Sequence, residues 1–139
     1  MIQLKIPTHV YLPRKTMPDK KIRLHQNWYR RANFQVINQA KKAFLKAVEP
    51  LLEGNSIMTP FYMIWLLYVP TKRKSDSSNN YAVLEKFFLD ALVQLGYIPD
   101  DDDVYYRHRL FLPKIYAKGN DYCEVRIYNN NPFTIENKD

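Results

Sequence analysis

The chain has 139 residues, 46% of them hydrophobic and 25% charged, and 21 Lys+Arg against 14 Asp+Glu give it a net charge of +7. That length predicts one domain, 1–139, with apolar mass enough for a core. The single cysteine, Cys123, excludes an internal disulfide and a cysteine-based zinc site. The cationic balance suits phosphate backbones, or anionic membrane surfaces, through counterion release.

Ile2, Leu4 and Ile6 alternate, and Ile2–Leu12 reads as a first strand broken by Pro7. Lys5 interrupts this early apolar run, so no signal peptide is expected. Pro13–Leu24, basic and punctuated by proline, reads as a loop. From Gln26 to Leu52 the spacing turns helical, with Ala32, Val36, Ala40, Ala43, Ala47 and Leu51 on one stripe and Phe44 and Val48 beside it. Pro50 and Gly54 are expected to end that helix. Ile57–Tyr68, rich in aromatic and β-branched residues, predicts a strand. Its apolar stretch, Phe61 to Val69, is far short of the ~18 residues needed to span a bilayer. The polar loop Thr71–Asn79 leads into a second helix, from Asn79 or Asn80 to Gly96, with Leu84, Phe87, Phe88, Ala91, Leu92 and Leu95 on its apolar stripe. Val104–Leu112 and Tyr122–Tyr128 read as two strands joined by a hairpin loop, Pro113–Asn120. The residues from Asn129 to Asp139 read as a flexible tail. The order β-α-β-α-β-β predicts an α+β domain, a mixed sheet with two main helices packed on it. Cys123 is expected to be buried and inert.

The run Asp100 to Asp103 is the sharpest chemical feature, four like charges in a cationic chain. It is either a solvated turn, with side chains bonding their own backbone, or a site for a hard divalent cation, for which one or two carboxylates suffice. On the second helix Asn79, Lys86 and Asp90 share the polar stripe. Lys86 and Asp90 stand either as a surface ion pair or with Lys86 set to steady charge on a phosphate under attack. Asp76 is a further candidate carboxylate. Basic and aromatic residues interleave around Arg23, His25, Trp28, Tyr29, Arg30 and Arg31, and again at Lys72, Arg73 and Lys74. These suit phosphate gripping and base stacking, with packing under the helix the alternative for Trp28 and Tyr29.

Leu84-Glu85-Lys86-Phe87-Phe88-Leu89-Asp90-Ala91-Leu92, followed by Gly96-Tyr97-Ile98-Pro99-Asp100-Asp101 and Val104, resembles the central signature of the RusA family of Holliday-junction endonucleases. A lysine stands four residues before Asp-Ala-Leu, a glycine four after the leucine, and an acidic pair four after the glycine. Asn27-Trp28-Tyr29-Arg30 is similar to that family's early Asn-aromatic-Arg element, and Val104–Tyr128 to its closing hairpin. The chain departs from the family at the Asp-x-Asp-Asn motif. Counted without gaps from Lys86, the two aspartates fall on Asn80 and Ala82. With a helical-turn insertion the motif becomes Asp76-Ser77-Ser78-Asn79, which keeps one carboxylate, or Ser77-Ser78-Asn79-Asn80, which keeps none.

The resemblance implies a structure-selective endodeoxyribonuclease resolving four-way or other branched DNA in the cytoplasm of a bacterium or phage-infected cell. It implies Mg²⁺ or Mn²⁺ held by Asp101, Asp100 and Asp76, with Asp90 alongside, and Lys86 at the attacked phosphate. Arg30, Arg31, Lys72, Arg73, Lys74, Asn79, Asn80 and Trp28 would contact DNA. Cutting two equivalent strands implies a two-fold homodimer, with no membrane partner. A protein that binds junctions without cutting them, and a basic RNA- or protein-binding module, are the other readings.

Overall fold

The structure, a computed structural model, describes residues 1–72 and 76–133. Its elements are β1 (Ile2–Pro7), β2 (His9–Leu12), β3 (Lys20–Arg23), α1 (Gln26–Arg31), α2 (Phe34–Leu52), β4 (Phe61–Val69), α3 (Ser78–Gln94), β5 (Tyr106–Phe111), β6 (Ile115–Tyr116) and β7 (Tyr122–Tyr128). This is the expected α+β arrangement, a mixed sheet with two main helices, α2 and α3, packed on it. The main sheet runs β1-β7-β4-β5, with β6 beside the end of β4, and β2 and β3 form a separate ribbon.

β4 is central in the sheet, with strands on both edges and one face of its apolar run buried. Phe61, Met63, Trp65 and Leu67 are buried on the helical side, where Trp65 meets Phe88 edge-on at 5.9 Å. On β7, Cys123, Val125 and Ile127 point the same way, opposite Leu4 and Ile6 of β1. Burial pushes the Cys123 thiol up to about 12, as expected for an inert cysteine. α3 is buried over most of its circumference, through Tyr81, Leu84, Phe87, Phe88, Ala91 and Leu92 among others. No helix among the described residues is long and apolar enough to cross a membrane.

Several sequence expectations need correction. Pro13–Leu24 is not all loop: β3 pairs antiparallel with β2, from His9↔Arg23 to Leu12↔Lys20. Its lysines face solvent and conceal a strand held by the single buried Ile22. The long first helix is two helices. Ala32 turns to extended backbone, and the Asn33 side chain accepts the Val36 N–H at 2.9 Å, capping α2 afresh. The buried stripe of α2 is Ala40, Phe44, Val48 and Leu52, with Leu51 38% exposed. Larger side chains gain more from burial than alanines do, and this turns the helix by one residue relative to the expected stripe. Pro50 lies inside the last turn, and the chain reverses only at Gly54, at φ +80°.

β4 begins at Phe61, later than expected. The hairpin between 104 and 128 does not exist, because β4 lies between β5 and β7. β5 pairs parallel to β4 across the α3 crossover, and β7 pairs antiparallel on the other side. A short loop between two strands reads as a hairpin by default; here the intervening segment carries β6, which also joins β4. Of the expected flexible tail, residues 134–139 lie outside the described residues, while Phe133 N–H is held by Asn131 at 2.9 Å.

Candidate functional site

α3 carries the candidate carboxylates at or beyond its two ends. It stops at Gly96, whose φ of +82° lets the Tyr97 N–H reach back to the Leu92 carbonyl at 2.9 Å. Ile98 then anchors the chain in the core, and Asp100–Asp103 emerge on the surface. Two of these carboxylates form backbone turns: Asp100 Oδ1 accepts the Asp101 N–H at 2.7 Å, and Asp102 Oδ1 accepts the Val104 N–H at 2.9 Å. The solvated-turn reading therefore accounts for part of the run. Asp101 is different. Lost hydration, the hydrogen bond with Asp100, and the negative charges of Asp100 and Asp90 together hold its carboxyl above the usual range.

Asp90 does not pair with Lys86. Its partner is Lys41 of α2, at 3.0 Å, because α2 packs along this side of α3. Lys86 is left exposed, one turn from Asp90, and no described carboxylate forms an ion pair with it. Asp90, Asp100, Asp101 and Lys86 thus share the C-terminal half of α3 and the turn beyond it.

Asp76 lies at the opposite end. Its Oδ1 accepts the N–H of Ser78, the first residue of α3, at 3.0 Å; the hydrogen bonds of Ser78 are the main reason its carboxyl sits below the usual range. α3 has 17 residues, a length of ~25 Å. Within one chain the structure does not bring Asp76 to Asp101. Among the described residues no three His, Cys, Asp or Glu side chains stand close enough to hold a metal ion together.

The expected DNA contacts divide in the same way. Arg30 and Arg31 are exposed at the end of α1. Trp28 is half-buried, edge-on to Phe87 with centroids 6.3 Å apart, which favours the packing alternative over base stacking. Asn79 is half-buried, and Asn80 is buried with its amide donating to the Leu24 carbonyl at 3.2 Å. Lys72 lies over the Tyr116 ring. Arg73 and Lys74 lie outside the described residues.

Sequence reasoning missed two polar groupings formed by residues far apart in the chain. On α3, Glu85 accepts from the Tyr106 hydroxyl and from Arg109, both at 2.9 Å, beside a cleft of about 550 Å³ that Asp76 also lines. Near β3, Asp121 takes two contacts from Arg23, at 2.9 and 3.0 Å, and accepts the Thr8 hydroxyl at 2.6 Å. Only the folded chain brings these residues together, so no local spacing announces them.

Asp121 gives a pH prediction. Burial alone would raise its carboxyl, but the hydrogen bonds of Arg23 and Thr8 and the charges of Arg23 and His9 outweigh burial and lower it. A depressed folded pKa contributes stability above the unfolded value, near pH ~4, which is lost as pH falls through the folded value. Asp121→Asn should therefore cost about 1–2 kcal/mol at neutral pH, and the gap from the parent should close in acid. Urea titrations at both pH values measure it; an equal gap at both would refute the assignment.

Compared with known proteins, the chain matches no family model and no curated protein.

Proposed function

We propose that this protein binds branched DNA and cuts it as a metal-dependent, structure-selective endonuclease of the RusA type. The observation that carries the reading is the Asp101 carboxyl, held above its usual range by lost hydration and by the neighbouring charges of Asp100 and Asp90, with Lys86 exposed one helical turn from Asp90, on a chain of net charge +7. Carboxylates with perturbed pKa values cluster at functional sites.

The donor set fits Mg²⁺ or Mn²⁺ in kind: oxygen ligands only, and one or two carboxylates are enough for an ion that keeps several waters. Asp100 and Asp101 would hold the ion, with Asp90 behind them. When bound, it would acidify a water and offset charge on the phosphate. The protein's own part is positioning. Lys86 places a cation where negative charge develops, and Arg30, Arg31 and Lys72 grip flanking phosphates without reading sequence. A homodimer, the symmetry suited to a four-way junction, would present two such sites to opposite strands.

A second reading, recognition without cleavage, draws support from the separation of Asp76 from Asp101. A labelled four-way junction and its linear duplex, incubated with Mg²⁺, Mn²⁺ or EDTA, separate the two. Paired, symmetric nicks in the junction alone, lost in EDTA, are expected. Tight binding with no nicks under either metal would leave only recognition, and no preference for the junction over duplex would overturn both.

A further inference from the structure

At the end of β4 away from the acidic turn, Arg23, His25, Thr71, Asn80 and Lys114 line, with Val69 and Pro70, a cavity of about 310 Å³. Among the described residues its polar lining contains no carboxylate. His25 Nδ1 accepts the Asn27 N–H at 3.0 Å, so the neutral ring carries its proton on Nε2 and presents a donor. Asn80, only 5% exposed, spends its amide nitrogen on the Leu24 carbonyl, which fixes the wall between α3 and the β3–α1 connection.

Arg23 is held from outside the cavity. Asp121 engages Nη1 alone, at 2.9 and 3.0 Å, and a guanidinium has five N–H donors in a rigid fork. Nη2 and Nε therefore remain for a second anion. Among the described residues two carboxylates act nearby: Asp121, shared with Lys21 at 3.9 Å and His9 at 3.8 Å, and Asp76, within electrostatic range of Lys114. Against Asp121 stand Arg23 and Lys21, with Lys72 next to Thr71 in the chain, so the described surroundings stay cationic. Polar donors with no carboxylate among the described lining residues, in a recess with positive surroundings, suit a tetrahedral oxyanion.

We propose that this cavity binds a phosphate group directly, with no metal ion, at a site separate from the acidic turn. The phosphate is either free, as inorganic phosphate or a terminal monoester, or part of a nucleic-acid backbone. The inference does not require DNA cleavage.

The test is an NMR titration of the full chain with inorganic phosphate, at constant ionic strength and without divalent metal, following the His25 ring and the amides of Thr71 and Asn80. Saturable shifts confined to these groups are expected, at dissociation constants of ~0.1–5 mM. Lys114→Gln and His25→Asn, the latter retaining a capping acceptor, should each weaken binding at least ~5-fold while the remaining spectrum stays folded. Shifts that do not saturate, or saturate equally in both variants, would overturn the proposal. A second arm uses a short single-stranded oligonucleotide with and without a 5′-phosphate. Perturbation of the same signals only by the phosphorylated form supports a terminal phosphate, and perturbation by both supports backbone phosphate. Because the titration contains neither junction nor metal, its failure would leave the nuclease proposal standing, and failure of the cleavage assay would leave this site standing.

Discussion

If the protein is the proposed junction nuclease, replacing Asp101 by asparagine should abolish junction cutting, by at least ~10²-fold, while junction binding changes less than ~3-fold. The asymmetry follows from what each process uses. On the same reading, binding would draw on cations spread over α1, Lys72 and the rest of a chain with net charge +7, and one carboxylate adds only a small repulsion to that sum. On the proposed reading, cutting would depend on Asp101, whose carboxyl lies beside the negative charges of Asp100 and Asp90. Asparagine keeps the shape of the turn, since the backbone bonds there are accepted by Asp100 and Asp102. Loss of activity would therefore report loss of charge and not of structure. A single-turnover assay beside a gel-shift titration on the same junction measures both quantities. Undiminished cutting would remove Asp101 from the chemistry, and a parallel fall in binding would mean that the carboxylate organises the surface instead. Lys86→Ala is the companion measurement, because Lys86 is exposed and forms no described ion pair. If its role is charge stabilisation it should slow cutting with little effect on stability.

Much of the architecture could be read from the residues, and the misreadings share a cause. The α3 stripe was legible because Leu84, Phe87, Phe88, Ala91 and Leu92 recur at helical spacing and all became core. β7 was legible for the matching reason, with Cys123, Val125 and Ile127 inward at period two. β3 was not, since a four-residue strand with one buried side chain shows no period. Nor was the place of β4 between β5 and β7, because strand order depends on which surfaces meet, and no local pattern encodes that. The acidic turn was visible as a charge run, yet the split of its members into backbone-bonded Asp100 and Asp102 and charge-crowded Asp101 arises only once Asp90 of α3 is brought near. The ion pair expected between Lys86 and Asp90 failed for a similar reason: helical spacing permitted it, and Lys41, from a different helix, supplied the nearer cation.

Removing one oxygen from Tyr81 should be among the most damaging small changes to this fold. The Tyr81 hydroxyl accepts the Leu67 N–H at 2.8 Å and donates to the Leu112 carbonyl at 2.6 Å. Leu67 falls in the interval where β5 has ended and β6 has not begun, so one edge of β4 lacks a strand there. Pro113, without an N–H, lies in that interval. The hydroxyl closes the gap in the ladder from the helical side. Tyr81→Phe keeps the ring and its contact with Phe111, 5.0 Å between centroids, so it opens no cavity. It leaves a donor on a fully buried residue unpaired and takes one donor from Leu112. At about 1–3 kcal/mol for each stranded group, the expected loss is about 2–4 kcal/mol, and a fall in Tm of roughly 5–15 °C. A change under ~0.5 kcal/mol in urea unfolding would show that water replaces the hydroxyl at no cost. Alkali supplies an independent check. Burial raises the Tyr81 hydroxyl from 10.0 to about 12, so its contribution is full below the unfolded value and is lost as pH rises through the folded one. Above pH ~10 the parent should therefore lose stability faster than Tyr81→Phe, and the gap between them should narrow.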